Sequence, residues 1–175
     1  MNRSRKNRAF SLVELVLVIV ILGIIAAIAI PRISSGSRNA GESVLQANLT
    51  DLRNAIDWYY GEHHNKFPGQ VGDGTNAADS EAAFINQLTR YSDANGAVSS
   101  DKDPLFPFGP YLRGTFPALP VGENKGQATV TVVNRAGLLT ASPGDGNGWV
   151  YNTQTGEIIA NSNDTANDGT MFDTW

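Results

Sequence analysis

Phe10 to Ile30, FSLVELVLVIVILGIIAAIAI, is the stretch whose reading decides the fold. It has 21 residues, 18 of them apolar; the exceptions are Ser11, Glu14 and Gly23. At about 1.5 Å per residue, a helix of roughly 20 residues crosses a hydrocarbon layer about 30 Å thick. The length therefore suits one membrane crossing. Glu14 is the misfit. A carboxylate inside a bilayer is costly unless paired, so an intramembrane acid points to function. A lone membrane helix offers Glu14 no cation, whereas a bundle of packed helices can. The plain alternative is that Glu14 snorkels to the membrane edge.

The nine residues before this stretch hold four of the 13 basic residues and none of the 17 acids. The remainder carries nine basic against 17 acidic residues, a net of −8. A basic N-terminus before an apolar span stays cytoplasmic by the positive-inside rule, which puts the acidic remainder across the membrane. That acidity excludes nucleic-acid binding, which wants a basic patch. There are no cysteines, hence no disulfide framework and no thiolate metal site. About 140 residues follow the apolar stretch, enough for one small domain. An ordinary secretory signal peptide would share the basic start and a small-residue site near Ala26-Ala27-Ile28-Ala29. Its apolar core is shorter, however, and has no use for Glu14.

Ala9-Phe10-Ser11-Leu12-Val13-Glu14-Leu15, followed by an apolar helix with Pro31 at its end, resembles the N-terminus of type IV pilins and type II secretion pseudopilins. The resemblance covers residues 1 to about 62. It implies that a prepilin peptidase cuts between Ala9 and Phe10 and N-methylates Phe10. Glu14 would be the fifth mature residue and would serve subunit assembly, and the new amine of Phe10 is its natural partner. Pro31 would be the family's weak point in the helix. Ala9 departs from the Gly that usually precedes the cut; alanine is the smallest change from it. The implied partners are copies of the chain and other pilin-like subunits, the peptidase, an inner-membrane assembly platform and membrane lipid. The implied location is the bacterial inner membrane as a single-pass protein, with a periplasmic head, and then a filament. No enzyme activity is implied.

Four regions follow from this reading: a leader (1–9), a membrane or filament-core helix (10–30), an amphipathic helix forming the spine of the head (31–62), and the rest of the head (63–175). Pro31, Gly36 and Gly41 weaken the join, which could equally be a loop. From Glu42 the helical period is plain: Leu45, Leu49, Leu52, Ile56 and Tyr59, with Val44, Ala55 and Tyr60 widening the stripe. His63 and His64, adjacent at a helix end, face different ways and suit neither a metal site nor catalysis. Ser80 caps a second helix running from Glu81 to about Tyr91. Pro104 to Leu112, dense in Pro and aromatics, reads as an extended segment laid over a sheet. Gln127–Asn134 is a β-branched strand. Trp149–Asn152 and Glu157–Ala160 form a hairpin around Thr153-Gln154-Thr155-Gly156. The expected fold is α+β: a long N-terminal helix, transmembrane first and amphipathic second, packed on a small antiparallel sheet of about three strands.

No catalytic constellation or phosphate loop is present. Asp145, Asn147, Asp164 and Asp168 offer hard oxygen ligands suited to calcium. The family's major pseudopilins carry calcium in a C-terminal loop, although Asn and Asp also simply favour turns. Met171-Phe172-Asp173-Thr174-Trp175 is apolar enough to dock on the head or on a neighbour. The expected function is a structural subunit polymerised into a pseudopilus or pilus-like filament. The alternative is a membrane-anchored exported binding or adhesive domain that does not polymerise.

Overall fold

A single helix, α1 (Leu12–Glu62), takes up the first third of the chain and passes through Pro31, Gly36 and Gly41 without interruption. A proline removes one amide donor but does not by itself dissolve a helix whose flanks are good helix formers. The computed structural model describes residues 11–175, with side chains described outside 28–37. Ala9 and Phe10 lie outside the described residues. The chain divides into two units, Met1–Asn39 and Ala40–Trp175. Among the described residues no helix is long and apolar enough to cross a membrane. The apolar helical run with described side chains, 12–27, is 16 residues long, against about 20 for a crossing.

In the second unit, α1 places Leu45, Leu49, Leu52, Ala55, Ile56 and Tyr59 in the core, all nearly inaccessible. Val44 does not join them and stays half exposed; it sits one residue off the 4-3-4-3 spacing. Gly41 lets the helix come close to the loop beside it. A Cβ there would meet Val121 Cγ1 at 2.7 Å.

Helix α2 spans Glu81–Thr89, and Ser80 Oγ accepts from the Ala83 amide at 3.2 Å, the expected N-cap. A short antiparallel pair follows, β1 (Tyr91–Ser92) and β2 (Val98–Ser99). The main sheet is β3 (Val130–Val133), β4 (Trp149–Asn152) and β5 (Ile158–Ala160), in that spatial order. Its three strands were expected, but its direction was not. β4 and β5 form the antiparallel hairpin, with Gly156 at φ 74° in the turn. β3 runs parallel to β4, with Val130 beside Trp149, so the sheet is mixed and not antiparallel. The cause is the connection. Residues 134–148 are too long for a hairpin and long enough to return the chain to its starting edge, as a parallel pairing requires.

One apolar cluster joins α1, α2 and the sheet through Leu52, Tyr59, Phe84, Trp149, Tyr151 and Ile158. Two of its buried aromatics have partners for their polar atoms: Trp149 Nε1 donates to Pro117 O and Tyr151 Oη to Pro68 O, both at 2.9 Å, whereas the buried Tyr59 hydroxyl has none among the described residues. The Pro-rich segment pairs with β1 through Phe108 and Ser92 and packs on the core through Tyr111 and Leu112. Phe108 and Tyr111 also contact the end of α1 through His63 and Tyr59, and the amides of Tyr111 and Leu112 both donate to Leu88 O at the end of α2. The terminal residues dock as expected. Phe172 is buried, Trp175 packs edge-on against it, and Arg53 donates to the Trp175 main-chain oxygen.

Candidate assembly site

A helix start leaves backbone amides unsatisfied, and the first turn of α1 meets that need with its own side chains. Glu14 Oε2 accepts from the Ser11 amide at 2.9 Å, and Ser11 Oγ accepts from the Val13 amide at 3.4 Å. This is a variant of the Ser-x-x-Glu capping box: Glu14 satisfies the Ser11 amide, while Ser11 Oγ takes the Val13 amide in place of that of Glu14. Glu14 is thus not without a partner in a single helix, as its reading by charge alone had it; the end of its own helix gives it one. Ser11 went unrecognised, although the S-x-x-E spacing was legible. The carboxylate also sits at the positive end of the helix dipole.

Beyond that turn, as far as residue 27, the helix has no buried side. The large apolar side chains from Leu12 to Ile25 are all between 44 and 78 % exposed. A helix apolar all round is stable only when something apolar surrounds it. The first unit holds this feature and the capping box together. Pro31 lies within α1, in the part whose side chains are not described.

The head holds polar clusters that serve structure. His63 is buried and stacked on Tyr59 with ring centroids 3.7 Å apart; Nδ1 lies 2.8 Å from Tyr59 O and Nε2 2.9 Å from Ser92 Oγ. Burial lowers its pKa from 6.5, against the pull of the Tyr59 carbonyl and the Glu62 and Asp93 charges. His64 points elsewhere, with φ 53° in the turn that ends the helix. Asp73, nearly inaccessible, accepts from the amides of Thr75 and Asn76 and from the side chains of Asn76 and Asn86. Burial pushes its carboxyl up, but these donors prevail and hold it at about 2.

The residues named for calcium divide. Asp145 Oδ1 accepts from the Asn147 amide and from Asn161 Nδ2 at 2.9 and 2.8 Å, while Oδ2 accepts from Thr131 Oγ1. Asn161 also donates to Asn147 O, so buried Asn161 ties 142–147 to the sheet. Asp168 accepts from the Thr170 amide in a separate turn, and the Asp164 main-chain oxygen accepts from Phe172. Among the described residues no three acids or histidines group as metal ligands do. In this arrangement Asp145 faces hydrogen-bond donors, and a cation would first have to displace them.

A family model and three curated relatives match part of the chain. A family model described as the prokaryotic N-terminal methylation motif matches residues 4–30. Type II secretion system core protein G of Escherichia coli is 31 % identical over 65 residues, 37 % of this chain and 45 % of that protein. Type IV major pilin protein PilA of Myxococcus xanthus is 35 % identical over 69 residues, 38 % of this chain and 31 % of that protein. The core protein G of Aeromonas hydrophila is 32 % identical over 66 residues, 38 % and 46 % of the two chains. The chain thus spans less than half the length of the curated relatives it matches. No solved structure matches. The class of feature these findings define is the N-terminal methylation motif, at residues 4–30, and part of the chain is similar to type II secretion core protein G and to a type IV major pilin.

Proposed function

We propose that this chain is a structural subunit, cut by a prepilin peptidase between Ala9 and Phe10, N-methylated at Phe10, and polymerised into a type II secretion pseudopilus or a type IV pilus-like filament. The observation that carries the proposal is the methylation motif at 4–30 running straight into a helix whose apolar residues are exposed on every side. Such a helix suits lipid in the precursor and neighbouring helices in the filament. The drive for assembly is close packing of apolar side chains, since lipid is already apolar. The precursor would be a single-pass inner-membrane protein with its head in the periplasm.

Glu14 carries two roles in this proposal. It caps its own helix, and it offers its remaining lone pairs to the Phe10 amine of a neighbour, which fixes axial register. Two substitutions separate these roles. Glu14→Gln keeps an acceptor for the Ser11 amide and loses the charge; Glu14→Ala loses both. The expected result is that both variants insert in the membrane and both lose sheared filaments. Normal filament yield from Glu14→Gln would refute the charge-pairing role and leave capping alone.

A further inference from the structure

The face of α1 that turns away from the core bears an indole. Trp58 lies between the exposed Asp57 and the buried Tyr59, and is 69 % exposed. It stands over an open cleft of about 490 Å³, bounded on one side by α1 and on the other by 111–117. That volume is in the range of small-molecule sites. The floor is Leu52 and Ala55, both buried, and Tyr111 and Pro117 add apolar surface to the far wall. Asp51, Asn54, Arg113 and Thr115 line the same cleft. Among the described residues their side chains make no hydrogen bond or ion pair within the chain. One end is closed by Tyr111 Oη, which donates to Glu62.

We infer that this cleft is a binding site for a neutral oligosaccharide, with Trp58 as the stacking platform. A sugar ring has an apolar face of C–H groups, which suits an exposed indole, and a rim of hydroxyls that both donate and accept. Asp51 accepts, Arg113 donates, and Asn54 and Thr115 do both, so together they match vicinal hydroxyls. Among the lining residues one carboxylate, Asp51, and one guanidinium, Arg113, balance, so the lining itself favours a neutral ligand over a polyanion or a polycation. The open groove admits a chain and not merely a single ring. The site belongs to the head and does not depend on whether the N-terminal helix polymerises.

The test uses the full chain in micelles of a zwitterionic detergent without a sugar headgroup. The probes are maltohexaose, cellohexaose and a hexamer of N-acetylglucosamine, with a heparin hexasaccharide as the charged comparison. Binding is read by isothermal titration calorimetry, because Trp58→Ala and Trp58→Tyr both remove the indole that an emission signal would report. The expected result is a saturable change with at least one neutral hexasaccharide below about 10 mM, weakened about tenfold or more by Trp58→Ala and largely kept by Trp58→Tyr. Trp58 lies outside the buried cluster, and the near-ultraviolet dichroism of Trp149 verifies the variant's fold. No saturation by any neutral probe, equal binding by Trp58→Ala, or binding of heparin alone overturns the assignment. So does a heat that follows protein concentration and not sugar, which would make a second copy the occupant.

Discussion

The two described ends of α1 share a helical backbone and differ in everything that surrounds it. From Leu12 to Ile25 the large side chains are apolar and exposed on all sides. From Leu45 to Tyr59 they alternate, a buried stripe against Asp51, Arg53, Asn54 and Asp57. The second segment is held by its own domain. The first has no such partner among the described residues, and only its first turn is stabilised locally, by Ser11 and Glu14. The difference teaches that one helix can belong to two solvents. Its head half is fixed by folding, and the apolar side chains from Leu12 to Ile25 have no buried partner among the described residues.

The most forceful way to break this comparison is to make the same deletion in both halves. Leu52→Ala empties a fully buried site and is expected to cost about 2–5 kcal/mol in urea unfolding of the full chain in detergent. Leu17→Ala is expected to change head stability by less than about 0.5 kcal/mol. An equal loss from both would show that the N-terminal half is part of the head's core. Asn161→Ala strips the donors that hold Asp145 and the Asn147 carbonyl, and is expected to cost about 1–3 kcal/mol by the same assay.

At the other end, Glu14→Ala removes half of the capping box. The expected loss is about 1 kcal/mol, confined to the first turn of α1 and seen as faster amide exchange at Ser11. Glu14→Gln should leave that exchange nearly unchanged.

The smallest effect is one of pH, and it belongs to the head alone. A histidine harder to protonate when folded than when unfolded means that the native state binds fewer protons. Stability is then full above about 6.5, falls as pH drops below it, and levels off once the buried ring itself protonates. Asp73 adds a second loss further down. Its folded carboxyl is lowered from 3.8 to about 2, so its contribution is present above the first value and gone below the second. His63→Gln should flatten the first step and leave the second. Urea midpoints measured from pH 8 down to about 1.5 test both.

Much of this was legible because side-chain period is a direct image of burial. Leu45, Leu49, Leu52, Ile56 and Tyr59 read as one face, and they are one face. Ser80 and the turn at Gly156 follow from local chemistry that acts within four residues. The direction of β3 was not legible. Whether residues 134–148 turn back beside β3 or cross to its starting edge depends on what that loop covers, and no short-range signal records it. The helix-end contacts of the Pro-rich segment were not legible for the same reason. Its composition excludes helix but does not say which surface it meets, and His63 and Tyr59 provide that surface from elsewhere in the chain. Ser11 was legible and passed over, because Glu14 was read for its charge and not for its distance from the serine.

The central claim is that the apolar half of α1 begins a processed subunit, and intact mass of the protein extracted from its native membrane tests it most directly. The account predicts a chain that starts at Phe10 and carries one added methyl group, and that reverts to the Met1 start when the prepilin peptidase is removed. A chain that keeps Met1 with the peptidase present, or one that has lost residues 10–30 altogether, would contradict it.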